Sequence, residues 1–186
     1  YGPILDRFGR KKPLLIGLFI YVVASVLIAL SPSLEFFIAM RFIQAMGASS
    51  GIVASFAIVR DKFSGSDVAK VLSSVVLVMG VAPIIAPTLG GFFSAHFGWR
   101  SIFYFLAVFG LVVSLCVHLY LTKVKASDLT SVFKLKPILK NYVKTLQNRK
   151  FLFYHLAGSF AMGIMFAYIS SIAYILLTLY KVSQEQ

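Results

Sequence analysis

Five long stretches of this sequence contain no Lys, Arg, Asp or Glu, and they constrain its fold more than any other feature. They cover residues 13–34, 42–59, 71–99, 101–122 and 151–180. Because an α-helix rises about 1.5 Å per residue, about 20 residues cross the roughly 30 Å hydrocarbon core of a bilayer. Each stretch has about 18 residues or more, so each can span. The sequence therefore predicts an all-α polytopic membrane protein with five spans.

The composition agrees with a lipid-exposed fold. Hydrophobic residues make up 59% of the 186-residue chain and charged residues only 13%, whereas soluble domains carry about 25% charged residues. This composition rules out a disordered chain and argues against a soluble enzyme domain. Cys116 is the single cysteine, and no cluster of His and Cys has the spacing of zinc ligands. We therefore expect no catalytic residues, no metal site and no cofactor.

A net charge of +12 raises the question of a nucleic-acid partner, but the placement of the cations favours a membrane. Fifteen of the 18 Lys and Arg residues fall within 6–12, 60–70 and 123–150, which lie on one side if all five stretches span. The opposite side holds Arg100 and Lys181. The positive-inside rule places the basic segments in the cytoplasm. The expected partner is the lipid bilayer of the cell inner membrane, and no nucleic-acid partner is expected.

The polar segments divide the chain into six parts. These are the end of a truncated helix (1–5), a cytoplasmic loop (6–12), four transmembrane helices (13–122), a cytoplasmic amphipathic linker (123–150), a further transmembrane helix (151–180) and an outer loop (181–186). Because the sequence opens at Tyr1 with what reads as a last helical turn, we expect a fragment.

The linker has a helical pattern of its own. Apolar residues recur at helical spacing beside a stripe of lysines, namely Leu135, Leu139, Tyr142 and Leu146 beside Lys136, Lys140 and Lys144. Such a segment is expected to lie on the inner headgroups with its lysines facing anionic lipid. A partner site of the calmodulin or nucleic-acid type is the alternative.

The first charge cluster, within residues 2–12, places Asp6 among four cations. At the membrane surface this carboxylate can pair with a cation or with the N-terminus of another helix, a contact worth roughly 0.3–2 kcal/mol. A contact present in only one of two conformations shifts the equilibrium between them. The alternative is a basic loop that only sets the topology.

The second pattern surrounds Arg41, which is the only strongly charged residue inside a predicted span. One helical face carries Arg41, Gln44, Ala48, Gly51 and Ser55. Gly47 with Gly51 forms a G-x-x-x-G pair that lets another helix approach. An arginine in mid-bilayer costs about 2.5–3.5 kcal/mol on insertion scales, so it indicates function. The alternative is an arginine that reaches the nearby outer surface with its long side chain.

A third pattern places prolines and glycines inside a predicted span. Pro83, Pro87, Gly90 and Gly91 share the stretch 71–99. Proline removes a backbone hydrogen bond, and neighbouring helices must shield the freed groups in a membrane. We expect a kinked helix that packs closely along its small residues. The kink could serve structure alone.

These three patterns, in this order, resemble the major facilitator superfamily of transporters. The sequence Gly-x-x-x-Asp-Arg-x-Gly-Arg-Lys over residues 2–11 resembles the loop between helices two and three of that family. The resemblance implies that Asp6, Arg7, Gly9 and Arg10 form an inner gate contact that helps to hold the outward-facing state.

The other two patterns resemble motifs of helices four and five of the same family. The resemblance implies a proton-coupling role for Arg41, with Gln44 in support. Pro83, Pro87, Gly90 and Gly91 resemble the helix-five antiporter motif, with Ala86 where glycine is usual.

Further stretches narrow the resemblance to the bicyclomycin-resistance (Bcr/CflA) drug:proton antiporters. They are residues 82–87, 98–103, 165–171 and 180–183. The resemblance implies a partial bundle from the end of helix two to helix seven, and proton-coupled efflux of drugs or other small molecules by the full-length protein. Phe166 and Tyr168 could line the drug pathway, although helix packing or lipid contact is the alternative.

Two other classes of function remain as alternatives. A membrane-embedded enzyme needs nucleophile, metal or acid groups within the spans, and the uncharged stretches contain no Asp or Glu. An enzyme is therefore not favoured. For the same reason, a proton-coupled transporter is expected to carry its proton on a carboxylate of helices beyond this chain. The other class is a small non-transporting structural membrane protein of five helices, which does not require the three patterns in order.

Overall fold

The computed structural model describes residues 1–121 and 135–178, and all regular elements in these ranges are α-helices. In chain order they are α1 (Gly2–Phe8), α2 (Lys11–Ala29), α3 (Leu34–Lys62), α4 (Ser66–Phe97), α5 (Arg100–Tyr120), α6 (Leu135–Leu146) and α7 (Arg149–Thr178). The chain forms two compact units, residues 1–131 with α1 to α5 and residues 132–186 with α6 and α7.

Five of the described helices are long and apolar enough to cross a membrane. They are α2, α3, α4, α5 and, within α7, Arg149–Tyr168. The prediction of an all-α protein with five spans is therefore confirmed for the part of the chain that the structure describes. The predicted outer loop 181–186 and the part of the linker before α6, residues 123–134, lie outside these residues.

The predicted loop 6–12 is much shorter in the structure. Helix α1 continues to Phe8 and α2 begins at Lys11, so only Gly9 and Arg10 connect them. Gly9 has a φ of 77°, a left-handed conformation that glycine adopts without steric cost. The charges of the motif therefore lie on two helix ends that meet at a tight turn.

Helix α2 makes most of its contacts with α3 and α5. At the contact with α3, Gly17 faces Gly47 and Ser50, and a Cβ atom added to Gly47 would lie 2.7 Å from the Gly17 carbonyl oxygen. At the contact with α5, a Cβ atom on Gly110 would lie 2.9 Å from Val22 Cγ2. Small residues thus allow α2 to approach both neighbours closely.

Apolar clusters fix the two ends of this three-helix group. Near the start of α2, buried Leu5, Leu14 and Ala54 pack together. Near its end, Ile28 and Ala29 pack with Phe103. We name these ends after a nearby residue, the Arg10 end and the Trp99 end.

Helix α4 is the least packed helix of the first unit, since none of its residues is buried. Pro83 and Pro87 lie inside an uninterrupted helix, and a Cβ atom added to Gly80 or Gly90 would meet nothing within 4 Å. The expected close packing along these small residues is therefore not formed among the described residues. The reason is that α4 contacts mainly α5 and, less, α3, which leave this part of its surface uncovered.

Ser33 begins α3 with a side-chain cap, and its loss is a testable prediction. The Ser33 Oγ accepts a hydrogen bond from the Phe36 backbone nitrogen at 3.3 Å. Alanine at this position is expected to reduce the free energy of unfolding by about 1 kcal/mol, since the backbone donor loses its partner. Denaturant titration of the purified chain in detergent measures the change. Ser49→Ala, within the same helix, is the control, and an equal effect in both variants would contradict the capping role.

Candidate functional site

Arg10 joins two carboxylates at the Arg10 end of the first unit. Its Nη1 lies 2.6 Å from Asp6 Oδ1 on α1, and its Nε lies 2.7 Å from Asp61 Oδ2 on α3. The Arg10 side chain is 12% exposed, against 63% for Asp6 and 30% for Asp61. One guanidinium therefore links α1 and α3 at the start of α2.

The electrostatics of this cluster depend more on Asp61 than on Asp6. The hydrogen bond to Asp61 is the main reason why the pKa of the Arg10 guanidinium is raised above its ordinary value, while burial opposes this and Asp6 contributes less. Asp61 was not among the predicted gate residues, because it lies 51 residues away along the chain. The positive-inside argument had placed residues 6–12 and 60–70 on one side, and that signal could have found the pair.

The other predicted gate residues lie beside this cluster in different roles. Gly9 forms the turn that brings the ends of α1 and α2 together. The Arg7 guanidinium carbon lies 5.3 Å from the centroid of the Phe8 ring. Lys11, the first residue of α2, donates from Nζ to the His118 carbonyl oxygen at 2.7 Å. This last bond satisfies a carbonyl group in the final turn of α5.

A second cluster, further along α3, contains the predicted pair Arg41 and Gln44. The Arg41 Nη1 donates to Gln44 Oε1 at 2.8 Å, and Gln44 Nε2 donates to Ser25 Oγ on α2 at 2.7 Å. Gln44 is 3% exposed and Ser25 is fully buried. The structure therefore brings the predicted pair together and adds Ser25, which the sequence analysis missed.

This second cluster borders a cleft of about 230 Å³ between α2 and α3. Its lining residues are Tyr21, Arg41, Gln44, Ala45 and Ala48. The Arg41 guanidinium carbon also lies 5.6 Å from the centroid of the Phe103 ring, a distance at which a cation is attracted to the ring face.

The small residues of α3 that contact α2 are not the ones that the sequence predicted. Gly47 and Ser50 are buried against α2, whereas a Cβ atom added to Gly51 would meet nothing within 4 Å. Ala48 is exposed at the cleft. The face that contacts α2 is therefore rotated by about one residue from the predicted one, because Gly47 rather than Gly51 makes the close approach.

A larger cleft, of about 420 Å³, lies at the Trp99 end. Its lining residues are Ser31, Pro32, Ser33, Leu34, Phe37, Trp99 and Arg100. Arg100 stacks over the Trp99 ring at 4.6 Å and donates to the Ser31 carbonyl oxygen at 3.3 Å. These contacts tie the α2–α3 connection to the start of α5.

The remaining predicted site residues do not join either cluster. Pro83, Pro87, Gly90 and Gly91 lie on α4, which contributes no lining residue to either cleft described above. Phe166 and Tyr168 lie on α7 in the second unit, and both are exposed there. Among the described residues, no group of three or more His, Cys, Asp or Glu side chains could hold a metal ion.

Comparisons with known proteins show which proteins this chain resembles in sequence. The chain is 34% identical over 186 residues to an uncharacterized MFS-type transporter, YdgK, of Bacillus subtilis, covering 99% of this chain and 46% of that protein. It is 30% identical over 186 residues to a bicyclomycin resistance protein homolog of Haemophilus influenzae, covering 100% of this chain and 47% of that protein.

A shorter match, 41% identical over 117 residues, is to the multidrug resistance protein MdtL of a Shewanella species, covering 62% of this chain and 30% of that protein. This chain thus spans about half the length of the relatives that it matches throughout. The sequence model of the Major Facilitator Superfamily matches residues 1–185. With five helices of membrane-spanning length and a family match from end to end, this chain is a multi-pass membrane protein that belongs to the Major Facilitator Superfamily.

Proposed function

We propose that this chain is part of a transporter that exports drugs or similar small molecules from the cell in exchange for protons. One structural observation carries the proposal: Arg41, a cation within a helix of membrane-spanning length, is held by hydrogen bonding to buried Gln44. Ionisable side chains in such helices are costly and mark transport pathways. Relatives named for bicyclomycin and multidrug resistance support the substrate class.

Arg41 acts on the proton rather than carrying it. A guanidinium stays protonated at physiological pH, so it cannot itself bind and release the coupled proton. A cation at the cleft instead lowers the pKa of a carboxylate that approaches it, and so favours proton release in one conformation. No described Asp or Glu lines the cleft of Tyr21 and Arg41. The proton-carrying acid is therefore proposed to lie elsewhere in the whole transporter.

The Arg10 cluster is proposed as the inner gate. Asp6, Arg10 and Asp61 join the ends of α1, α2 and α3, and a contact made in only one conformation biases the equilibrium toward it. The basic residues around this cluster support a position at the cytoplasmic surface of the inner membrane. In alternating access, the exposed pair between Asp6 on α1 and Arg10 would stabilise the outward-facing state, while Asp61 holds Arg10 in place. Gly9 shapes the turn, and Arg7 lies at the same surface.

The other predicted elements have places in the same proposal. The uncovered surface of α4 at Gly80 and Gly90 is proposed to contact helices of the whole transporter that lie beyond this chain. Phe166 and Tyr168 are proposed to line the drug pathway. On α6, Lys140 and Lys144 are exposed and suit contact with anionic headgroups.

The role of Arg41 is tested by measuring export by the whole transporter in cells that lack their own drug exporters. Arg41→Ala is expected to lower proton-gradient-dependent export about tenfold or more, equivalent to ~1.4 kcal/mol. Accumulation of a fluorescent drug, with and without a protonophore, measures the export. Arg60→Ala, which removes an exposed cation from the end of the same helix, is the control. Normal export by a well-expressed Arg41→Ala protein would contradict the proposal.

The alternative of a non-transporting structural membrane protein is not favoured. The two relatives that match across the whole chain are named as an MFS-type transporter and a resistance protein homolog.

A further inference from the structure

A hydrogen-bonded series of groups runs from the backbone of α2 to Arg41 on α3. The Ser25 hydroxyl donates to the Tyr21 carbonyl oxygen at 2.7 Å, and the same Ser25 oxygen accepts from Gln44 Nε2 at 2.7 Å. Gln44 Oε1 then accepts from Arg41 Nη1 at 2.8 Å. Each group has a complementary partner, so the series has a defined direction.

The hydroxyl of Ser25 and the guanidinium of Arg41 together set which way the Gln44 amide faces. A serine hydroxyl has one proton to donate, and here the Tyr21 carbonyl takes it. Ser25 can therefore only accept from Gln44, which must present its NH₂ group to Ser25 and its carbonyl oxygen to Arg41. The reversed amide would set oxygen against oxygen at Ser25 and two donors against each other at Arg41.

The burial of Ser25 and Gln44 makes the reversed orientation of the amide unfavourable. Ser25 is 0% exposed and Gln44 is 3% exposed, so water does not readily replace a missing partner at either group. An amide that loses its acceptor in such a place must turn or stay unpaired, and both outcomes are unfavourable. Removal of Ser25 therefore affects the acceptor that holds Arg41, although Ser25 itself does not contact the arginine.

We propose that Ser25 is a positioning residue for Arg41 and acts through the orientation of the Gln44 amide. The proposal rests on the proposed function, since it concerns the arginine assigned there to proton coupling. It adds a residue of α2 to a function that the proposal above assigns to residues of α3. Ser25 sets the position of the guanidinium at the cleft, and with it the strength of the field that a carboxylate meets there.

Ser50 provides a matched control for Ser25. Both serines are 0% exposed, and Ser50 donates to the Gly47 carbonyl oxygen at 2.7 Å. Among the described contacts, however, Ser50 holds no glutamine. Ser50→Ala therefore removes a buried hydroxyl and a backbone hydrogen bond without releasing the amide. Ser25→Thr is the conservative variant, because threonine in a helix can also bond to the carbonyl four residues earlier.

The first measurement needs no transport. The sequence has four glutamines, so ¹⁵N labelling of glutamine side chains in the purified chain in detergent gives few NMR signals, and Gln44→Ala identifies that of Gln44. In the unmodified chain, this NH₂ group is expected to exchange slowly with water. Ser25→Ala should shift the signal and speed its exchange about fivefold or more. Ser50→Ala and Ser25→Thr should leave both unchanged.

The second measurement concerns Arg41. Export of a fluorescent drug is recorded as a function of external pH in cells that express the whole transporter with these substitutions. Ser25→Ala is expected to lower export about fivefold and to shift its pH profile in the direction of Arg41→Ala. The double variant Ser25→Ala/Gln44→Ala should be no worse than Gln44→Ala alone. Ser25→Thr should restore the profile.

The outcomes separate the two proposals. An unchanged Gln44 signal in Ser25→Ala would overturn the role of Ser25, whatever the transport data show. So would an additive loss in the double variant, because it would mean that Ser25 does not act through Gln44. Normal export by Arg41→Ala would instead overturn the proposed function, and the NMR signal alone would then decide whether Ser25 orients the amide.

Discussion

Alanine in place of Gly47 is expected to destabilise the chain by about 1–3 kcal/mol, the usual range when a tight contact is overpacked. The added Cβ atom would lie 2.7 Å from the Gly17 carbonyl oxygen and 2.7 Å from the Tyr21 backbone nitrogen. Both of these atoms belong to the backbone of α2, so no rotation of a side chain relieves the clash. The two helices must move apart, and the hydrogen bond between Gln44 and Ser25 is strained with them.

The second glycine of the same pair supplies the control. A Cβ atom at Gly51 would meet nothing within 4 Å, and either replacement gains up to about 1 kcal/mol of helix propensity. The difference between Gly47→Ala and Gly51→Ala therefore isolates the packing contribution. Titration of the purified chain with SDS in mixed micelles measures both free energies of unfolding. Equal stabilities would mean that Gly47 is not the closest point between α2 and α3.

Loss of the Arg10 guanidinium is expected to have the second large effect. Arg10→Gln removes both ion pairs, to Asp6 at 2.6 Å and to Asp61 at 2.7 Å. The expected loss is about 1–3 kcal/mol in the free energy of unfolding, because a partly buried carboxylate loses a charge-assisted hydrogen bond while solvent screens the rest. The same titration in mixed micelles measures it.

The two carboxylates should contribute unequally, and an exposed pair on α4 is the control. Asp61→Asn should cost more than Asp6→Asn, because Asp61 is the less exposed partner at 30% against 63%. Lys70 and Asp67 lie 3.8 Å apart with both side chains mostly exposed. Lys70→Gln should therefore change stability by less than about 0.5 kcal/mol. A loss as large as that of Arg10→Gln would show that net charge, and not the Arg10 cluster, sets stability.

The five spans could be predicted because the signal is local. Each depends on an uninterrupted apolar stretch, and a single charged side chain ends such a stretch wherever it falls. The helix ends were less predictable, since α3 continues through Arg60 to Lys62 beyond its uncharged stretch. Basic residues in a last turn interact favourably with the helix dipole, so polarity alone does not mark the end of a helix.

Partners across helices were harder to predict, for a different reason. Arg10 and Gln44 were both predicted as functional, yet Asp61 and Ser25 were missed. Each partner lies on another helix, and which residues face each other there depends on how the helices rotate against one another. That rotation is set by the close approach at Gly47, which the sequence pattern assigned equally to Gly51. A rotation of α3 by about one residue position, roughly 100°, therefore separates the predicted face from the observed one.

The packing of α4 was predicted from its composition and is not found in the described contacts. Prolines and glycines indicate that a helix can be approached closely, but they do not say by which neighbour. The surface with Gly80 and Gly90 stays uncovered by the described residues. Composition thus predicted a capacity for packing, and only the fold shows whether a neighbour uses it.

The unequal attachment of the helices has a mechanical consequence. Helix α2 is fastened to α3 through Gly47 and Gln44, and to α5 through Gly110 and the bond from Lys11 to His118. These three helices should consequently tilt together as one stiff block during any change of shape, carrying Arg10 and Arg41 at a fixed separation. Movement at one charged cluster would then displace the other without a signal passing through side chains between them.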